Sequence, residues 1–232
     1  FVRGDPRMIF RHVAAVFALT LAGVAVVTTP PAEAQTQRQP QSKAAPKKAV
    51  TEDAAKTFIT EMGNRTMTVM MQQGSPESRN DAFTKLMLDA IDFDSLANQT
   101  LGKMARTVTP GDRKEFTELF AAYVIDVAIQ KLGSTSVQSF SIGALKPQPN
   151  GDIKVNTAVT TGDKPLSIDW RVHDKDGSTR INDIEVDGYS LVIHYRGEFE
   201  RAGVSTVQGL IAKLQGLTQS SGILPVVRTA MK

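Results

Sequence analysis

Residues 166–187, LSIDWRVHDKDGSTRINDIEVD, decide the fold. Leu166, Ile168, Trp170 and Val172 alternate with Ser167, Asp169, Arg171 and His173, the period of two that marks a half-buried strand. Asp174-Lys175-Asp176-Gly177 carries the chemistry of a hairpin turn. Alternation then resumes, with Asn182, Ile184 and Val186 on one side and Ile181, Asp183, Glu185 and Asp187 on the other. Just upstream, Ile153, Val155, Thr157 and Val159 alternate with Lys154, Asn156, Ala158 and Thr160. Strands this close in sequence predict an antiparallel meander with one apolar and one wetter face.

Outward from this sheet the period changes to that of a helix. From Thr51 to about Leu132, Phe58, Met62, Val69 and Met70 form one stripe, and Phe83, Leu86, Met87, Ala90 and Ile91 a second. Ser75-Pro76 reads as an N-cap followed by proline at the first helical position. Asp94 is expected to cap a short helix bearing Leu96, Ala97 and Leu101. Thr109-Pro110-Gly111-Asp112 opens the clearest helix, whose apolar side is Phe116, Leu119, Phe120, Tyr123, Val124 and Val127. After the sheet, Tyr189, Val192, Tyr195 and Phe199 recur at spacings of three and four. Gly203 ends that run, Ser205 is expected to cap the next, and Leu210, Ile211 and Leu214 form its stripe. Helices, sheet, helices predicts an α+β domain: a helical layer on one face of a small antiparallel sheet of about four strands.

The first 50 residues read differently. Arg7 and Arg11 precede an uncharged apolar run from Val13 to Val27, then Pro30-Pro31 and Ala32-Glu33-Ala34. That order predicts a signal peptide over 1–34, cleaved after Ala34, with Met8 as the start. The alternative is an uncleaved anchor, although the run is shorter than the roughly 20 residues that span a bilayer. Residues 35–50, QTQRQPQSKAAPKKAV, hold no acid and no aromatic, so a disordered tether is expected there. Residues 51–217 form the predicted folded domain and 218–232 a tail, expected either to pack on the domain or to stay mobile. Beyond Val50 the chain has 20 basic and 22 acidic side chains. The nominal net charge of +3 therefore sits outside the domain, and a nucleic-acid footprint is excluded where it would matter. The absence of cysteine excludes disulfides and thiolate chemistry.

No catalytic or metal constellation stands out, and no cofactor is expected. His173, on the polar side of a strand, and His194, at a helix edge, read as ordinary histidines. Asp183, Glu185 and Asp187 read as a solvated strand face sooner than as a cation site. Asp174-x-Asp176-Gly177 lacks the glutamate that closes a calcium loop. What remains is large apolar residues on several short helices facing one sheet, compatible with a filled core or with an open pocket. The pocket has a strong energetic reason to exist in a lipid carrier. Each buried methylene contributes about 0.8 kcal/mol, so two chains of about 16 carbons represent on the order of 25 kcal/mol gross.

An ordered set of blocks separates these readings. Asp92-Phe93-Asp94, Leu101-Gly102, Thr109-Pro110 with Phe116 and Phe120, Asp169-Trp170-Arg171-Val172, Asp183 to Val192, Tyr195-Arg196, Phe199, and Gly209 to Leu214 together resemble the MlaC family, the phospholipid-binding toluene-tolerance proteins. The resemblance runs from about Thr51 to Leu217. It implies a nuclear-transport-factor-like fold with acyl chains between sheet and helices, and no enzyme activity. It also implies a periplasmic shuttle between an outer-membrane lipoprotein complex and the ring subunit of an inner-membrane ABC transporter, maintaining outer-membrane lipid asymmetry. Carried over, it makes Phe93, Leu96, Leu101, Phe116, Phe120, Tyr123, Trp170, Tyr189, Val192, Tyr195 and Phe199 lipid-binding candidates. Arg196 is expected to meet either a phosphate or an acidic side chain. Three other readings remain: a carrier of hopanoids or other polycyclic lipids, a small isomerase-like enzyme using Asp169 with Tyr189 or Tyr195, and a protein-binding scaffold.

Overall fold

A computed structural model describes residues 49–133, 137–161 and 164–232. The expected leader and most of the expected tether fall on residues 1–48, outside the described residues. Among the described residues there are seven α-helices and a five-stranded sheet: α1 Glu52–Met71, α2 Pro76–Ala90, α3 Phe93–Leu101, α4 Pro110–Gly133, β1 Val137–Pro147, β2 Ile153–Thr161, β3 Lys164–Lys175, β4 Ser178–Val186, β5 Tyr189–Ser190, α5 Leu191–Arg201, α6 Val207–Thr218 and α7 Ile223–Ala230. The sheet is an antiparallel meander in the order β1-β2-β3-β4-β5. None of these helices is long and apolar enough to cross a membrane.

Local chemistry sets the element ends. Ser75 Oγ accepts from Ser78 N at 3.2 Å, and Thr109 Oγ1 accepts from Asp112 N at 3.1 Å, as their sequences predict. Two caps differ from expectation. Asp92, not Asp94, caps α3, accepting from Ser95 N at 3.1 Å, because the chain turns helical directly after the Ile91–Ile181 bridge to the sheet. Thr206, not Ser205, caps α6, accepting from Gly209 N. β3–β4 and β4–β5 are both joined by two-residue Asp-Gly turns, Asp176-Gly177 and Asp187-Gly188. All four residues have φ between 49° and 85°, as a hairpin matched to strand twist requires. The second turn makes Tyr189 part of a short strand; the helix expected to include it starts at Leu191.

The register resolves one misreading. Trp170 pairs with Ile184, but Val172 pairs with Ile181, across an irregularity beside Arg171. This bulge returns Ile181 to the apolar face, where it is fully buried, and removes it from the acidic face that simple alternation gave it. That apolar face comprises Ile153, Val155, Thr157 and Val159 of β2, Leu166, Ile168, Trp170 and Val172 of β3, Ile181, Ile184 and Val186 of β4, and Phe140, Ile142 and Leu145 of β1. Helix α1 packs against β1, β2 and β4, α5 packs against β4 and α3, and α6 and α7 pack against α4. Val50, at the end of the expected tether, is buried and donates to Gly151 O at 3.3 Å. In the tail, α7 buries Ile223 and Val227 against α2 and α4, and Arg228 pairs with Glu118 at 3.4 Å.

Candidate functional site

The apolar sheet face is sealed at one end and open at the other. On β2, Ile153, Val155 and Thr157 are buried and Val159 is only half-buried; on β3 the series runs from buried Val172 to half-buried Trp170, Ile168 and Leu166; on β4, from buried Ile181 to half-buried Ile184 and Val186. Three neighbouring strands lose cover toward the same end. From Val172 to Leu166 is about 20 Å along the strand.

The helices explain the gradient. Helix α1 starts beside Gly151, at the sealed end, and crosses the sheet so closely that a Cβ on Gly63 would lie 2.7 Å from the Phe140 ring. Past that crossing its apolar residues, Val69 and Met70, are again half-buried. Helix α4 ends three residues before β1 begins, so its last turns, with half-buried Val127 and Ile129, approach the open end. Half-buried apolar groups therefore come from sheet and helices alike at that end.

The aromatic wall lies between α4 and α5. Phe116 and Phe120 stack at 5.6 Å, Phe199 meets both edge-on, and Tyr195 meets Phe120 edge-on at 5.2 Å and Tyr123 at 5.7 Å. Burial raises the Tyr195 hydroxyl pKa well above the ordinary phenol range, helped by nearby Tyr123 and Glu198. It raises that of Tyr123 too, with Glu198 and Asp126 contributing. Both phenols stay protonated at neutral pH, so neither offers a phenolate base.

The lipid-binding candidates thus separate into groups. Phe116, Phe120, Tyr123, Tyr195 and Phe199 are brought together as one wall, with Val192 buried on the same helix as Tyr195. Trp170 stands half-buried on the sheet, its Nε1 donating to Thr157 Oγ1 at 2.9 Å, which holds the ring in place. Leu96 and Leu101 are buried on α3. Phe93 lines a different cleft, of about 700 Å³, shared with Asp92, Arg113, Lys175, Arg180 and Met231. Tyr189 is 52 % exposed on β5. The exposed Arg196 donates to Gln99 O near the end of α3 and meets neither acid nor open end, a favourable place for a cation beside a helix C-terminus.

Two polar clusters are more built than sequence reasoning anticipated. Asp183 is only 2 % exposed: Oδ2 accepts from Ser190 Oγ at 2.7 Å, and Oδ1 from Ile184 N at 2.9 Å and Val192 N at 3.4 Å. The expected solvated acid is thus the anchor that fixes the start of α5 on β4, because the hairpin at Asp187-Gly188 folds Ser190 back beside it. Glu185 is engaged with Lys154 at 2.7 Å and Arg171 at 3.3 Å. His173, expected at the surface, is buried, with Nε2 3.1 Å from Asp92 Oδ2. Lys175 Nζ reaches the same carboxylate at 2.7 Å. Burial would raise the Asp92 pKa, but hydrogen bonds from His173, Lys175 and Ser95 N–H outweigh it and hold the value well below the usual carboxylate range. Lys175 moves oppositely: burial would lower its pKa, and Asp92 and Asp94 raise it.

The residues of the isomerase reading do not converge. Asp169 lies on the outer ionic face, accepting from Asn156 Nδ2 at 2.6 Å, whereas Tyr195 sits in the wall behind the opposite face. Among the described residues no group of three or more His, Cys, Asp or Glu could hold a metal ion.

Comparison with known proteins agrees with this architecture. The family model described as MlaC protein matches residues 54–216. Among solved structures, a phospholipid-binding protein from Ralstonia solanacearum in complex with a phospholipid superposes with a TM-score of 0.64 at 16 % identity, covering 71 % of this chain and 97 % of that one. No curated protein matches.

Proposed function

The chain belongs to the MlaC family, and from that premise we propose that it is a non-enzymatic periplasmic phospholipid carrier whose acyl chains enter at the open end of the sheet. It takes lipid between an outer-membrane lipoprotein complex and the ring subunit of an inner-membrane ABC transporter, and so maintains outer-membrane lipid asymmetry. The phospholipid held by the Ralstonia protein of the same fold supports the ligand class. The observation that carries the reading is the loss of cover along Val159, Leu166, Ile168 and Val186, which stay half-buried while the other end of the same apolar face is fully covered. Burial at the sealed end contributes fold stability, and burial left incomplete at the other end is completed by the ligand at about 25 cal/mol per Å² of apolar surface covered.

In this proposal Trp170, Tyr123, Val192 and Tyr195 touch the acyl chains, Phe116, Phe120 and Phe199 back them, and Phe93, Leu96 and Leu101 hold α3 in place. The headgroup stays at the mouth, away from Arg196. The test is solvent extraction of the purified protein followed by lipid mass spectrometry. Phospholipid in near one-to-one ratio is expected; a polycyclic lipid in its place would assign the carrier to the hopanoid reading, and an empty protein that takes up no added phospholipid would overturn it.

A further inference from the structure

Among the described residues, five buried side-chain atoms have no hydrogen-bond partner: Arg171 Nε, His173 Nδ1 and Nε2, Asn182 Oδ1 and His194 Nε2. Such atoms are rare in folded proteins, and each asks for a reason. Three of the four residues are engaged through another polar contact. Arg171 Nη2 meets Glu185 at 3.3 Å, His173 Nε2 lies 3.1 Å from Asp92 Oδ2, and Asn182 Nδ2 donates to Asp152 Oδ2 at 3.1 Å. His194 differs. Its neighbour is a ring, that of Tyr195, edge-on at 5.2 Å, while Nε2 is enclosed with nothing to bond. The acid one turn further on, Glu198, is taken by Arg201.

The place of this atom gives the reason. Helix α5 starts directly after β5, whose Tyr189 pairs with Val186 at the open end, and His194 lies in its first turn. From there the helix runs toward the sealed end: Arg196 donates to Gln99 O, and the Gln99 side chain donates to Asn182 O further along β4. His194 therefore stands at the mouth, and Tyr195 joins it to the wall that Phe120 and Tyr123 continue. A phospholipid whose chains enter here carries its ester carbonyls where the chains stop, just inside the phosphate. A neutral imidazole can donate from Nε2. An enclosed donor suits the carbonyl, since the charged phosphate loses far more on leaving water.

We propose that His194 Nε2 donates a hydrogen bond to an acyl-ester carbonyl of the bound phospholipid. The inference rests on the carrier reading and adds the polar contact that fixes how deep the lipid sits. It makes His194 a specificity-determining residue, selecting ester-linked chains over chains of equal length without the carbonyl.

The test is competition, read by native mass spectrometry, between a diester phosphatidylethanolamine and its diether analogue of matched chains, offered to the delipidated protein. The parent should take up the diester in about fivefold preference. His194→Phe keeps a ring against Tyr195 but has no donor, and should take up both lipids equally. His194→Gln, whose side-chain amide can donate, should keep the preference. In the parent, the imidazole nitrogen resonance of His194 should move on loading the diester and not the diether, a readout that needs no variant. No preference in the parent, or a preference that survives in His194→Phe, would overturn the contact and leave the carrier reading standing. Equal loss of both lipids in His194→Phe at an unchanged melting temperature would assign His194 to the headgroup or to packing, and overturn it too. A parent that takes up neither lipid would overturn the carrier reading, and this contact with it.

Discussion

The two ends of one sheet face are made of the same residue types and end in opposite states. Val155, Val172 and Ile181 at one end are fully buried; Val159, Leu166, Ile168 and Val186 at the other are half-buried. The difference lies in what covers them. Helix α1 starts at the sealed end, presses on the sheet at Gly63, and runs on beyond it, and Asp183 ties α5 to β4 beside the wall. Apolar composition therefore says that a face wants covering, and helix placement decides whether the protein or a ligand supplies the cover.

The strongest way to break the comparison is to remove the wall. Phe120→Ala deletes a fully buried ring that touches Phe116, Tyr195 and Phe199, and should cost about 3–5 kcal/mol in urea unfolding. Next comes a matched pair. Ile181→Ala at the sealed end should cost about 2–5 kcal/mol, whereas Ile168→Ala at the open end should cost clearly less while lowering the phospholipid retained through purification. Equal stability losses in urea would remove the distinction between the ends.

Asp183→Ala should cost about 1–3 kcal/mol, because it strips buried partners from Ser190 Oγ and Val192 N. Amide exchange should report the loss first in α5.

The last comparison is one of pH dependence, at Asp92, where Asn can keep the α3 cap but loses the charge that Lys175 meets. Its native pKa is depressed, so the ionised form stabilises the fold; that contribution is complete above about pH 4 and declines as pH falls further. Lys175, with a raised value, contributes through neutral pH and loses its share only as pH climbs past about 10. Thermal melts from pH 7 to pH 3 should therefore fall less steeply for Asp92→Asn than for the parent.

Much of this was legible in the chain. The alternation in β2 and β3, the Asp176-Gly177 hairpin, the caps at Ser75 and Thr109 and the stripe of α4 are local signals, and each sits where residue spacing put it. What escaped was non-local. The bulge between β3 and β4 shifts Ile181 to the other face, and only its partner strand reveals it. His173 is buried because Asp92, from a different element, reaches it. The Asp187-Gly188 turn could have been read, since it repeats the Asp-Gly signature of residues 176–177, and doing so would have moved Tyr189 out of the helix. The exposure gradient could not, because a filled core and an open pocket demand the same apolar spacing.

The most direct measurement uses a phospholipid bearing a photoactivatable group at the end of one acyl chain. It is loaded into the protein and irradiated, and the adducts are mapped by peptide mass spectrometry. The account expects them on the peptides carrying Val159, Leu166, Ile168 and Val186. Adducts centred instead on Ile153, Val172 and Ile181, or on the outer ionic face, would contradict it.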